Sequence, residues 1–215
     1  MTMEQISQLL LVGTIFLSFA LLGTASLSGC VGLLALQGCC LSLLPLFIHE
    51  GFTVRALLLA AGMAFLKGWL VPKVLLHAIR EVRIRREMEP LIGYVPSLIF
   101  GVAIVWLSIL LAHRLPIPAG VRSGLLVPVS LATMMMGLFM TVSRLKALTQ
   151  VIGYLVFENG IYIFGLLASR DMPWLLEMGV LLDVFVAVFV MGIVIHHISR
   201  EFDSIHTDRL TQLKE

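Results

Sequence analysis

The sequence predicts an all-α, polytopic transmembrane helix bundle of about seven spanning helices. Three observations carry that prediction. The 215 residues are 59% hydrophobic and 13% charged, with a mean hydropathy of +1.02, whereas soluble domains carry about 25% charged residues. Apolar runs of spanning length follow one another with short polar breaks, and about 20 residues rising ~1.5 Å each cross a bilayer core. The basic residues gather in alternate breaks, as the orientation rule for membrane helices requires. No stretch is left over for a separate soluble domain.

The runs fall near Ile6–Ala25, Gly29–Ile48, Val54–Ile79, Val95–Ala112, Ser123–Thr141, Ala147–Ala168 and Trp174–Ile198. The amino-terminal MTMEQISQLLLVG has no basic region ahead of its apolar stretch and no cleavage site, so it reads as the first span rather than a removed signal. The polar notch Ser26-Leu27-Ser28 demands a close hairpin between the first two spans. Pro45, Pro72, Pro96 and Pro128 lie in or beside spans, and each interior one frees a backbone carbonyl that neighbours must satisfy. Met134-Met135-Met136 reads as adaptable packing.

With seven spans, one side of the membrane carries Arg80, Arg83, Arg85, Arg86, Arg144, Lys146, Arg200, Arg209 and Lys214, nine basic residues. The other carries four, Arg55, Arg114, Arg122 and Arg170. That asymmetry predicts a cytoplasmic carboxyl terminus and an outside amino terminus. The loop His77–Pro90 interleaves four arginines with Glu81, Glu87 and Glu89, a composition suited to anionic lipid headgroups or a partner subunit. It is too short and too acidic to argue for nucleic acid. Cys30, Cys39 and Cys40 lack metal-ligand spacing and read as small packing residues, so no metal or redox cofactor is expected in this chain.

The most informative stretch is Val151–Gly165, VIGYLVFENGIYIFG, where Glu158 stands in the middle of the sixth run. A charge there costs ~2.5–3.5 kcal/mol on insertion scales, so an intramembrane carboxylate is a functional-site candidate by default. Lys67 in the third run and Asp183 in the seventh complete a set of deep ionisable residues. Lys67 is 12 residues past Arg55, Glu158 is 12 before Arg170 and Asp183 is 10 past Pro173, which puts all three ~15–18 Å deep. Groups of opposite sign at one depth relieve one another and are suited to passing protons in the membrane plane. Gln150, Tyr154, Asn159 and Tyr162 are the polar residues around them, and His196 and His197 stand where protons would enter or leave. Gly153 and Gly160 are small enough to let a neighbouring helix pack closely.

A weak repeat relates LLHAIREV to VIHHISREF. Setting His77 against His197 places Gly38, beside Gln37, opposite Glu158. The chain therefore divides into a three-helix half over 1–80, a basic loop and linking helix over 81–122, a second three-helix half over 123–199 and a tail over 200–215.

The run IGYLVFENG, the acidic helix EMGVLLDVFVAVFVMGIVIHHISREF, the segment FLKGWLVPKVLL and the tail DRLTQLKE together resemble the hydrogenase-4 component E family. That resemblance spans essentially the whole chain. It implies a multi-pass subunit of the cell inner membrane, in the membrane arm of a formate-hydrogenlyase-type complex. Helices five to seven also resemble the K subunit of complex I and the C subunit of multisubunit cation/proton antiporters. The resemblance implies that Glu158 and Asp183 belong to a proton-transfer axis, with aspartate where the K subunit has glutamate, while Lys67 rests on the component E likeness alone. It further implies antiporter-like membrane partners and a soluble hydrogenase-type arm holding nickel–iron and iron–sulfur centres, this chain being non-catalytic by itself. A purely structural membrane anchor and a free-standing small-solute transporter are the alternatives. Against the transporter, the short-looped spans give no inverted repeat with paired broken helices.

Overall fold

The computed structural model describes residues 2–48, 54–81, 92–115, 124–168, 181–182 and 184–192. Among them every regular element is helical. In order these are α1 (Met3–Gly23), α2 (Leu27–Ile48), α3 (Val54–Phe65), a π-helical turn (Leu66–Leu70), α4 (Val71–Glu81), α5 (Tyr94–Arg114), α6 (Leu126–Ser143) and α7 (Ala147–Ala168). Residues 181–182 and 184–192 are helical as well.

Local chemistry accounts for the ends. Thr2 caps α1 in a reciprocal box: the Gln5 N–H donates to Thr2 Oγ1 at 3.3 Å, and the Thr2 N–H donates to Gln5 Oε1 at 3.0 Å. The expected tight hairpin between the first two spans is present, and the Gly29 N–H donates to Ser26 Oγ at 3.1 Å as α2 begins. The third run is not one uniform helix. Pro72 has no N–H, and its ring crowds the carbonyl four residues earlier, that of Gly68. The helix widens just before it, and the Val71 N–H reaches back five residues to Leu66 O.

Five helices among the described residues are long and apolar enough to cross a membrane: Met3–Gly23, Leu27–Phe47, Ala60–Arg80, Tyr94–Arg114 and Leu126–Ser143. At 22 residues α7 equals them in length but carries Glu158 and Asn159 at its centre. Large apolar side chains such as Phe16, Leu58, Trp69, Ile99, Trp106 and Val142 stand exposed around the outside, which in water would be untenable and in a bilayer is the norm. The chain is a membrane protein.

Contacts define the two ends of the bundle. Arg144, just past α6, touches both Leu22 near the end of α1 and Tyr94 at the start of α5, so these termini lie together. Helix ends recur in a common register. Helix α1 ends at Gly23 and α6 at Ser143, while α2 runs Leu27–Ile48 and α7 Ala147–Ala168, each pair of boundaries 120 residues apart. Helices α6 and α7 pack most extensively. Their approach is set by glycine on both sides: a Cβ on Gly137 would run into the Phe157 backbone, and one on Gly153 would sit 2.6 Å from the Thr141 nitrogen. Gly160 meets the Met134 backbone in the same way.

The core is divided in two. One apolar cluster, including Leu21, Leu34, Val71, Met136, Leu155 and Val156, fills the Gly23 end. A second, with Leu11, Leu41, Met63, Val129, Ile163 and Leu166, fills the other. Along α1, α2, the third run and α7 alike, buried polar side chains lie between the two clusters: Thr14 and Ser18, Gln37, Lys67, and Glu158 with Asn159.

Candidate functional site

That polar layer is the candidate site. Lys67 sits in the π-helical turn and is 5% exposed; Glu158 and Asn159 face it from the middle of α7, each 2% exposed. The Lys67 ammonium donates to Glu158 Oε1 at 3.2 Å and to Asn159 Oδ1 at 2.9 Å. Its nitrogen also lies 5.9 Å from the centre of the Tyr162 ring, within cation–π range.

The backbone explains how a lysine reaches this point. The wide turn ahead of Pro72 carries Lys67 against α2, where glycine makes room. A Cβ on Gly38 would lie 2.6 Å from Lys67 Cβ, and one on Gly68 would lie 2.7 Å from Cys39 Sγ. Single-turn π segments recur at functional positions because they re-aim one side chain without ending the helix. Here the re-aimed side chain is the lysine.

Asn159 extends the layer away from the ion pair. Its Nδ2 donates to Gln37 Oε1 of α2 at 3.1 Å. Gln37 Nε2 in turn donates to Ser18 Oγ at 3.0 Å and to Thr14 O at 3.4 Å in α1. Ser18 Oγ donates to the same Thr14 carbonyl at 2.9 Å. Gln37, Ser18 and Thr14 are each fully buried. Four spans are thus joined side to side in the middle of the bundle. An unsatisfied polar group at such depth costs several kcal/mol, so the network is the condition on which these residues can be there at all.

The sequence-derived residues divide into three groups. Lys67, Glu158, Asn159 and Tyr162 come together. Gln150 and Tyr154 lie toward the other end of α7: Gln150 Nε2 donates to the Arg144 carbonyl at 3.0 Å, and with Tyr154 it lines a cavity of about 420 Å³ beside Phe185, Val186 and Phe189. Gly153 and Gly160 lie in the α6/α7 contact described above. Asp183, His196 and His197 lie outside the described residues. Sequence reasoning named Gln37 only as the neighbour of Gly38 in the repeat and passed over Ser18 and Thr14. An amide at the centre of a 22-residue apolar helix was the available signal for Gln37, by the same cost argument that singled out Glu158.

Among the described residues, the layer that holds the charge pair is flanked on both sides by apolar clusters. Neutralising Glu158 would remove the charge that faces Lys67 at 3.2 Å, while the Lys67 bond to Asn159 Oδ1 does not depend on it.

No protein-family model matches the chain, and no solved structure matches it. Among curated proteins it is 30% identical over 207 residues to the uncharacterized protein Rv0085 of Mycobacterium tuberculosis, covering 94% of this chain and 93% of that one. It is likewise 30% identical over 166 residues to hydrogenase-4 component E of Escherichia coli K12, covering 76% of each chain, and to its Shigella flexneri counterpart to the same extent. With that identity over three quarters of both proteins, and a bundle of membrane-crossing helices to match it, the chain belongs to the hydrogenase-4 component E family.

Proposed function

We propose that the chain is an integral, multi-pass subunit of a hydrogenase-type oxidoreductase complex in the cell inner membrane, where its buried charges take part in moving protons, or sodium ions, coupled to redox chemistry in partner subunits. The single observation that carries this reading is the Lys67–Glu158 pair, held at 3.2 Å in a polar layer between two apolar clusters. A scaffold has no use for a carboxylate at such a cost, whereas a proton carrier needs a titratable group that is shielded from bulk water. Asp183, at the same depth by residue count, is proposed as the next group on the path. The partners are antiporter-like membrane subunits and a soluble arm that holds the nickel–iron and iron–sulfur centres. The proposed topology is seven spans with the tail beyond Arg200 in the cytoplasm.

Glu158→Gln tests the reading. The amide keeps the shape and the hydrogen bond to Lys67 but cannot take up a proton. Proton movement measured with a pH-sensitive dye in vesicles holding the whole complex should fall to background, with assembly unchanged in the same membranes. Glu158→Asp, shorter by one methylene, should retain part of the activity. Wild-type proton movement in an assembled Glu158→Gln complex ends the proposal and leaves a structural anchor in its place. The topology is checked separately by labelling single cysteines: Ser204→Cys should react only from the cytoplasmic side and Ser123→Cys only from outside.

A further inference from the structure

We propose that the outer face of the third span holds a site for an anionic phospholipid, with the phosphate at Arg80 and His77, the glycerol esters at Lys73 and an acyl chain against Trp69. The inference needs only that the chain is a membrane protein and does not depend on the proton reading of Glu158.

The site is a groove of about 410 Å³ along one helix, from Gly68 in the π-helical turn to Arg80 at the end of the span. Lys73, His77 and Arg80 follow one another at spacings of four and three residues, which sets them in a single stripe, and all three are exposed. Pro72 and Leu76 supply apolar lining beside them. Trp69 stands at the inner end, 51% exposed and stacked on Phe65 with ring centres 5.2 Å apart.

Basic residues at the end of a span are ordinarily accounted for by orientation, and Arg80, the last residue of Ala60–Arg80, would need no more than that. Lys73 does. It lies seven residues inside that end, ~10 Å deeper at ~1.5 Å per residue, on a face where Trp69 and Phe65 stand outward. A cation at such a depth is costly unless an anion or a wet cavity relieves it. Among the described residues no acid forms an ion pair with Lys73, His77 or Arg80. The Lys73 ammonium rests over the Trp69 ring at 4.4 Å, a contact that takes up a ring face and leaves N–H groups for an oxygen acceptor. His77 offers an N–H donor in either charge state, and the Arg80 fork matches a phosphate.

The order of groups along the groove is the order of groups along a phospholipid. A phosphate lies outermost, ester carbonyls follow, and the hydrocarbon chain runs inward. Outermost here are the guanidinium and the imidazole, then the ammonium, then the indole ring. Basic pockets at the ends of membrane helices hold acidic headgroups by the same attraction. A carboxylate from a neighbouring subunit would answer one of these cations. It would leave unexplained the grading from charge to aromatic over the 11 residues from Trp69 to Arg80, about three helical turns.

Trp69 is a built-in reporter. The chain has three tryptophans, so Trp106→Phe and Trp174→Phe leave it as the single emitter. The full chain carrying both changes is reconstituted in phosphatidylcholine vesicles, with phosphatidylglycerol or phosphatidylcholine brominated in its acyl chains as the quencher. Phosphatidylglycerol should be preferred at Trp69 by roughly 25-fold, about fivefold for each of the two full charges of Lys73 and Arg80. Arg80→Gln or Lys73→Gln alone should lower the preference about fivefold, leaving the lipid partly held, and the pair together should abolish it. Equal quenching by the two lipids overturns the proposal, as does a preference that survives the double substitution. Inorganic phosphate in large excess should leave the quenching unchanged; relief of quenching would mark a site for soluble anions and overturn it too. In the assembled complex, Leu76→benzoylphenylalanine should on illumination capture phosphatidylglycerol, recognised by its mass. Capture of a partner subunit in its place would show that protein covers the groove and would end the lipid assignment.

Discussion

Among the described residues the protein buries two cations, and it treats them in opposite ways. Lys67 lies between the apolar clusters with a carboxylate at 3.2 Å, an amide oxygen at 2.9 Å and a tyrosine ring close by. Arg144, at the connection between α6 and α7, is 1% exposed and has no acid beside it among the described residues. Its Nη2 donates to Leu22 O at 3.1 Å, its guanidinium lies 5.5 Å from the Tyr94 ring, and its Nε and Nη1 have no hydrogen-bond partner among the described residues. Leu22 belongs to the last turn of α1, where unsatisfied carbonyls and the helix dipole both favour a cation. Arg144 therefore clamps the ends of α1, α5 and α6 together. Arginine suits this task because its planar fork offers several donors to carbonyls and a flat face to a ring, while lysine's compact ammonium suits a carboxylate and an amide oxygen at close range. One buried cation holds the bundle and the other faces a group that can change charge.

Substitutions at the two positions should separate these roles. The largest effect is expected for Lys67→Met, which takes away the cation opposite Glu158. Proton movement by the complex should drop to background while the assembled fraction, judged by co-purification, stays near wild type. Loss of assembly with normal activity per complex would reverse the assignment. Arg144→Met should show the mirror image. The tie from α6 to α1 is lost, a hydrogen bond from a charged group worth ~1.5–3 kcal/mol, so the complex should assemble poorly and melt at lower temperature. The complexes that do form should move protons normally. Arg144→Lys keeps the charge without the planar fork and should fall between. The smallest effect is expected for Lys73→Met. Lys73 is exposed and rests over the Trp69 ring at 4.4 Å, a contact worth ~0.5–1 kcal/mol at an exposed site. Both assembly and proton movement should stay within about two- to fivefold of wild type, the factor to which that energy corresponds. A Lys73 variant as damaged as Lys67→Met would mean that position along the helix, rather than the π-helical turn, decides which lysine matters.

What the sequence made legible depended on which quantities are linear along a chain. Depth is one, because every helical residue adds the same rise. Counting from Arg55 and from Arg170 brought Lys67 and Glu158 to one level, and they touch. Azimuth is not linear in this sense: which way a side chain faces depends on packing partners, so neither the pairing with Asn159 nor the displacement of Gln150 and Tyr154 toward the Arg144 end was readable. The π-helical turn was half visible. Pro72 announced a disturbed helix, but whether the chain would kink, break or widen depended on Gly38 and Gly68 clearing space against α2. Gln37 escaped for a different reason. A neutral amide in an apolar run has no charge to draw notice, although burying it unpaired would have cost nearly as much. Arg144 escaped because a basic residue at a helix end looks like an orientation signal, and only the structure shows it 1% exposed.

The split core has an electrical consequence. Among the described residues, apolar side chains fill both the Gly23 end and the Met3 end, so the layer holding Glu158 has low-dielectric packing on either side. A full membrane potential of about 100 mV is worth ~2.3 kcal/mol per elementary charge. A proton arriving at mid-depth from either side has crossed roughly half of it, about 1.1 kcal/mol on that scale. If Glu158 carries a proton there, as proposed, voltage alone at constant pH on both sides would change its occupancy by roughly sixfold for each such increment.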